Sequence, residues 1–195
     1  MSIACAAFIG STSCTNPLQP ITPSESIPLK IGNQWNYESA NYLPSFNDTL
    51  IRQFTSRIVA DTTIEGKKYF IENIYAGFLI TTIMINLPDG SYQRVGNRDV
   101  LGIRYPIKLG DKYQVETFDR LGQPSDLLNI EITALNKEIT VAAGKFQCYE
   151  RTYSINSYKY VHHIAGGHGW IQGLTYDDTG TLVARTQLTS YTLQK

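Results

Sequence analysis

Charge of one sign is the first thing missing. Seventeen Lys and Arg balance seventeen Asp and Glu, so the formal net charge is zero. Nucleic-acid backbones and anionic membrane surfaces are held by basic excess, which excludes both as electrostatic partners. Cysteine is scarce: Cys5, Cys14 and Cys148 are the only three, with no CxxC pair. Neither a structural zinc site nor a disulfide framework is indicated. Windows rich in Ala, Leu, Glu and Lys are few, which argues against long helices. No Gly-x-Ser-x-Gly elbow occurs, and Cys148 has no sequence neighbour that would lower its pKa. Cys148 reads as a small buried hydrophobe.

What the chain does have is tyrosine, 13 residues of it, together with abundant Thr and Ile. That is the composition of strands. It also has one stretch used twice. Residues 27–38 carry Pro28, Lys30, Gly32 and Glu38; residues 105–116 carry Pro106, Lys108, Gly110 and Glu116 at the same spacing. Asn33 and Trp35 of the first copy become Asp111 and Tyr113 of the second. In each, a proline starts extended chain and an apolar–Lys–apolar triplet packs one side. Gly-Asn or Gly-Asp then turns, and an aromatic opens a strand. Each copy is the start of one half of a single β-domain.

Three regions follow. Residues 1–14 form an export-signal-like segment. Its apolar run Ile3–Ile9 resembles a signal h-region and is too short to span a bilayer. Gly10-Ser11-Thr12-Ser13 before Cys14 resembles a lipobox, which makes Cys14 the lipidation candidate. Secretion without lipid is the alternative. Residues 15–26, with three prolines among Ser and Thr, read as a tether. Residues 27–195 form one β-domain with halves starting near 27 and 105.

Within that domain, strand-length runs alternate with turn signals. Strands are expected at 34–40, 50–61, 68–75, 78–86, 91–95, 112–119, 127–135, 139–141, 146–155, 158–164, 170–176 and 181–193. A short helical turn is expected within 96–103. The pattern gives an all-β fold with little helix. The first choice is a single strongly curved antiparallel sheet, a half-barrel. A two-layer β-sandwich is the second.

Pro28-Leu-Lys-Ile-Gly-Asn-x-Trp-x-Tyr37 resembles the opening of small bacterial envelope lipoproteins of uncharacterised function. Ile139–Tyr149, with its Val-Ala-Ala-Gly-Lys-Phe turn, resembles a second signature of theirs. Gly167-His-Gly-Trp-Ile171 followed by Leu188-Thr-Ser-Tyr191 resembles a third. Such proteins look like the half-barrel domains of lipoprotein-localisation factors, in which a curved sheet holds acyl chains. The resemblance implies an exported, anchored, ligand-binding domain and supplies no catalytic residue.

The candidate chemistry is thin. His162, His163 and His168 are the only histidines and sit within seven residues. His162 and His168 are weak metal candidates, because neighbouring strand residues 162 and 163 face opposite ways. Otherwise these histidines read as solvated strand and turn residues. Gly166-Gly167-His168-Gly169 reads as a bulged hairpin rather than a phosphate cradle, since no Lys-Ser/Thr and no helix follow. The aromatics Trp35, Tyr37, Tyr149, Tyr153, Tyr158, Tyr160 and Trp170 are the candidates to line a ligand-binding concavity.

The reading is a non-enzymatic protein of the bacterial cell envelope, periplasmic or surface-exposed, attached to membrane through its lipid anchor only. It needs no cofactor and does not bind nucleic acid. It binds a lipid or other hydrophobic ligand, or an envelope protein partner. The alternatives are a structural envelope component without a small ligand and, behind it, a histidine-dependent metalloenzyme.

Overall fold

The computed structural model describes residues 27–43, 48–118 and 123–194. The export segment, Cys14 and the tether lie outside them. Every element among the described residues is a strand. The first half holds β1 (Gln34–Leu43), β2 (Asp48–Ile64), β3 (Lys67–Tyr75), β4 (Leu79–Leu87), β5 (Gly90–Val95) and β6 (Arg98–Arg104). The second holds β7 (Lys112–Phe118), β8 (Pro124–Val141), β9 (Gly144–Ile155), β10 (Tyr158–Ala165), β11 (Gly169–Tyr176) and β12 (Leu182–Thr192).

All twelve belong to one antiparallel sheet in the order β6-β5-β4-β3-β2-β1-β12-β11-β10-β9-β8-β7. The first and last strands of the chain therefore pair, and the two middle strands are the edges. The sheet curls into a barrel nearly closed, with one seam between β6 and β7. The curvature expected from the sequence is present and goes beyond a half-barrel; the described residues form this one sheet and no second sheet of a sandwich. The helical turn expected within 96–103 is instead β6. The break expected at Asn136 is a pair of register shifts inside a continuous β8, between Ile132 and Lys137, where bulges bend the strand without ending it.

The repeated stretch makes the same backbone bonds twice. Gly32 N–H donates to Ile58 O (2.8 Å) and Ile58 N–H donates to Asn33 O (2.9 Å). Gly110 N–H donates to Ile132 O (2.9 Å) and Ile132 N–H donates to Asp111 O (3.0 Å). Both glycines sit at positive φ, +92° and +80°, which a side chain would strain. From these anchors the two halves run in step. Trp35 faces Ser56 as Tyr113 faces Ile130. Ile58 faces Glu72 as Ile132 faces Arg151, each just before a register shift. Glu72 faces Thr82 as Arg151 faces His162. The repeat is thus a structural one, four strands deep.

Two clusters make the core. One gathers Trp35, Tyr37, Ile58, Phe146, Cys148, Ile171 and Leu188 from both halves. The other gathers Ile103, Tyr105, Ile107, Tyr113, Ile130, Ile132, Tyr149 and Ile164 near the seam. Trp170 packs against both.

Candidate functional site

The first half leaves a hollow. A cavity of about 130 Å³ is bounded by Ile27, Trp35, Tyr37, Phe54, Ser56, Glu72, Ile74, Met84, Gly169 and Trp170. Its position follows from the strand alternation. Trp35 and Tyr37 are two apart on β1 and share a face, with Ser56 and Phe54 opposite them on β2. Glu72 and Ile74 continue that face on β3, and Met84 on β4. Trp170 closes the space from β11. A Cβ on Gly173 would stand 2.5 Å from Trp170 Cζ2, so only glycine there gives the indole its place.

The aromatic polar atoms are already used. Trp35 Nε1 donates to His168 O at 2.7 Å, and Tyr37 Oη donates to Trp170 O at 3.0 Å. Trp170 Nε1 donates to Gln172 O at 3.0 Å. Burial and the nearby Glu72 charge push the Tyr37 hydroxyl pKa far up. Tyr37 stacks on Phe54 with centroids 4.9 Å apart and tilts against Trp170 at 5.3 Å. The N–H and O–H groups of Trp35, Tyr37 and Trp170 are therefore spent on the protein's own backbone. The polar exception is Glu72. Ser56 Oγ donates to its Oε1, and Thr82 Oγ1 donates to its Oε2 at 2.8 Å.

Of the aromatics nominated from sequence, Trp35, Tyr37 and Trp170 line this cavity. Tyr149 does not: it is wholly buried in the seam-side core. Tyr153 and Tyr160 stack on each other at 5.0 Å. Tyr158 is exposed, on a separate groove. Phe54, Ser56, Ile74, Met84 and Glu72 were not singled out. Glu72 left a sequence signal: Phe70-Ile-Glu72-Asn-Ile74 puts a carboxylate at the middle of three same-face positions whose outer two are apolar.

His163 is buried, while His162 and His168 are half-buried. His162 lies between Tyr153 and Trp170, and its pKa is lowered to about 3 by burial first and then by the charges of Arg151 and His163. Arg151 can only donate, so the 3.5 Å contact of its Nη2 makes His162 Nδ1 the acceptor. His162 Nε2–H then donates to Tyr153 Oη at 3.3 Å. His163 is 1% exposed and its Nε2 donates to Glu150 Oε2 at 2.9 Å. Burial would raise the Glu150 pKa, but hydrogen bonds from Lys137, Thr133 and His163 override it and hold the carboxyl at about 2. His168 sits in the turn, its Nδ1 donating to Gly166 O at 3.1 Å. The three rings diverge, and no group of three or more His, Cys, Asp or Glu able to hold one metal ion occurs among the described residues. Cys148 is buried, and desolvation pushes its thiol up to about 12.

A larger hollow of about 680 Å³ is lined by Lys137, Glu150, Ser154, Tyr158 and Asp177, among others. It is a broad polar groove in which Glu150 pairs with Lys137 and Asp177 accepts from the Thr179 and Thr181 amides. The smaller, aromatic-walled space has the composition of a ligand site.

No family model and no curated protein matches the chain. Two solved structures share its fold. An exported-protein candidate of YmcC-like fold from Bacteroides fragilis NCTC 9343 superposes with a TM-score of 0.56 at 12% identity, covering 87% of this chain and 100% of its own. A lipoprotein candidate from Parabacteroides distasonis ATCC 8503 superposes with a TM-score of 0.57, also at 12% identity, covering 89% of this chain and 100% of its own. At that identity the likeness establishes a common fold: a nearly closed, single-sheet antiparallel barrel shared with candidate exported proteins.

Proposed function

We propose that this is an exported envelope protein, anchored through lipid on Cys14, that works by binding an apolar ligand group in the first-half cavity rather than by catalysis. One observation carries the binding role. At matching register positions the second half is filled, by Ile130 for Ser56 and by Tyr153 for Ile74, whereas the first half is left hollow between aromatic walls. Cores close-pack unless something prevents it. The volume limits what enters. An engineered apolar cavity of about 150 Å³ accepts a benzene, so this space takes a small ring or the end of a chain, not a whole acyl lipid. In this reading the resemblance to lipoprotein-localisation factors noted in the sequence concerns the mode of binding and not the size of the cargo. Export and anchoring rest on the signal-like segment and the nature of the two fold neighbours.

Native mass spectrometry of the full chain, exported in a bacterial host and released in mild detergent, tests both parts. A mass increment removed by Cys14→Ser supports the anchor. A retained small molecule, lost on Trp170→Ala, supports the cavity. An unlipidated chain sinks the anchor. A chain that takes up no apolar compound when soaked sinks the cavity.

A structural role has its own observation. Tyr75, Phe78, Leu79 and Ile80 are exposed together around the β3–β4 turn, Phe78 at 67%. An apolar tip of this kind suits a protein partner, and crosslinking from position 78 in cells tests it.

A further inference from the structure

We infer that the group entering the cavity is a small organic cation, an ammonium on a short apolar body, held by Glu72. This rests on reading the cavity as a ligand site.

The argument is one of charge accounting. Among the described residues, no Lys, Arg or His nitrogen pairs with Glu72 as a salt bridge. Other shielded carboxylates of the sheet have such a partner: Asp99 has Arg94 at 3.2 Å, and Glu150 has Lys137 and His163. The bonds Glu72 does make come from two neutral hydroxyls, Ser56 and Thr82. They orient both carboxylate oxygens without cancelling the charge. An apolar ligand with no charge would cover Glu72 and strip its water with nothing in return. An anionic ligand would be repelled outright. A cation returns the lost solvation through a charge-assisted hydrogen bond.

The walls agree with this. Trp35, Tyr37, Phe54 and Trp170 have ring faces, which carry negative quadrupole charge and attract alkylammonium groups. The filled half supplies the control. At the position of Glu72 it has Arg151, at that of Thr82 it has His162, and at that of Ser56 it has Ile130. Arg151 Nη1 is engaged with Gly102 O at 2.8 Å. The frame therefore tolerates a cation of its own at this depth, and in the hollow half that cation comes from outside.

Trp35 and Trp170 are the only tryptophans, and both line the cavity, so intrinsic fluorescence of the full-length protein reads occupancy directly. It is titrated at pH 7 with hexylammonium, hexanol and hexanoate, three probes of one body. Hexylammonium is expected to bind at least tenfold tighter than hexanol, with hexanoate weakest. Glu72→Gln is expected to bring hexylammonium to within threefold of hexanol, weakening hexylammonium and, with no charge left to desolvate, tightening hexanol. The comparison of hexylammonium with hexanol on the native protein needs no variant, which covers the case of a Gln variant that does not fold. Equal binding of hexylammonium and hexanol to the native protein overturns the cation and leaves apolar binding standing. So does a preference that survives Glu72→Gln. Absence of any response to all three probes at 10 mM overturns the apolar-ligand reading and this inference together.

Discussion

In the first half of the barrel, Ser56 and Glu72 border an open space, and Phe70 packs half-buried against the core beside it. In the second, Ile130, Arg151 and Tyr149 stand at the same register positions and are packed. The backbone frame is common to both, down to the paired bonds at Ile58 and Ile132. The difference lies wholly in side-chain volume and charge. A second contrast runs along the strand junctions. β1 and β12 pair through eight residues of register, while β6 and β7 meet through side chains: Arg98 bridges to Glu116 at 3.3 Å and lies over Phe118. The two junctions also differ in their covalent links. Residues 105–111 join β6 to β7 and send Tyr105 and Ile107 into the seam-side core. No such link joins β12 to β1. What these contrasts teach is that a repeated sequence fixes the frame, and the side chains and linkers hung on it decide which half packs and which junction closes.

The packing contrast predicts the largest stability effect. Tyr149 is 0% exposed, so Tyr149→Ala is expected to cost about 4 kcal/mol in urea unfolding. Phe70, its counterpart, is only partly buried, and Phe70→Ala should cost roughly half as much. Equal costs would mean that the halves are packed alike, and the comparison would fail.

The junction contrast comes next. Asn33 is 1% exposed. Its Nδ2 donates to Pro28 O, and its Oδ1 accepts from Gln194 N–H at 2.8 Å, tying the end of the chain to the closed junction. The second copy has Asp111, which is partly exposed. Asn33→Asp removes the donor and buries a charge against a carbonyl, a cost of about 3 kcal/mol. Asp111→Asn should stay within about 0.5 kcal/mol. Denaturant midpoints of the two variants decide it, and a harmless Asn33→Asp would show that the clamp does not hold the junction.

Much of this frame was legible in the sequence. The repeat, its Gly turn and the strand-then-turn rhythm are local, and local signals survive in a single chain. The strand pairings between halves were not, because the turns differ in length, and residue 72 cannot be matched to residue 151 until both registers are known. The same limit hid most of the cavity. Trp35 and Tyr37 were legible as one face of a strand. Phe54, Glu72 and Met84 join them only through cross-strand register. Tyr149 misled because a tyrosine on an alternating strand reads the same whether it faces a hollow or a packed core. His162 and His163 misled for a related reason: their neighbours Trp170 and Glu150 come from the strands on either side, β11 and β9.

Acid separates the halves by a smaller margin. Burial holds the His162 pKa down at about 3 in the folded chain, against 6.5 for an ordinary imidazole; its counterpart Thr82 does not titrate at all. As pH falls below 6.5 the unfolded chain takes up a proton that the folded chain refuses, so stability is lost with falling pH. Between pH 6.5 and 5 this amounts to about 2 kcal/mol. His163, also lowered by burial, acts in the same direction. Glu150 adds its loss lower still, as pH drops from 4.5 towards 2. His162→Gln should flatten the stability profile between pH 7 and 5, and an unchanged slope would remove His162 as its source.

The smallest effect sharpens the comparison most. Tyr149 carries a hydroxyl that Phe70 lacks, and among the described residues that hydroxyl is buried with no hydrogen-bond partner. If the second half uses Tyr149 only to fill space, the ring matters and the oxygen does not. Tyr149→Phe makes the two halves alike at this position. It removes an unsatisfied polar group, so it should be neutral or stabilising by up to about 1 kcal/mol. The contrast with Tyr149→Ala then isolates volume from polarity at one site. A loss above about 1 kcal/mol on Tyr149→Phe would mean that the hydroxyl is bonded in solution. The second half would then be a polar network rather than a filled core, and the hollow of the first half would no longer stand out against it.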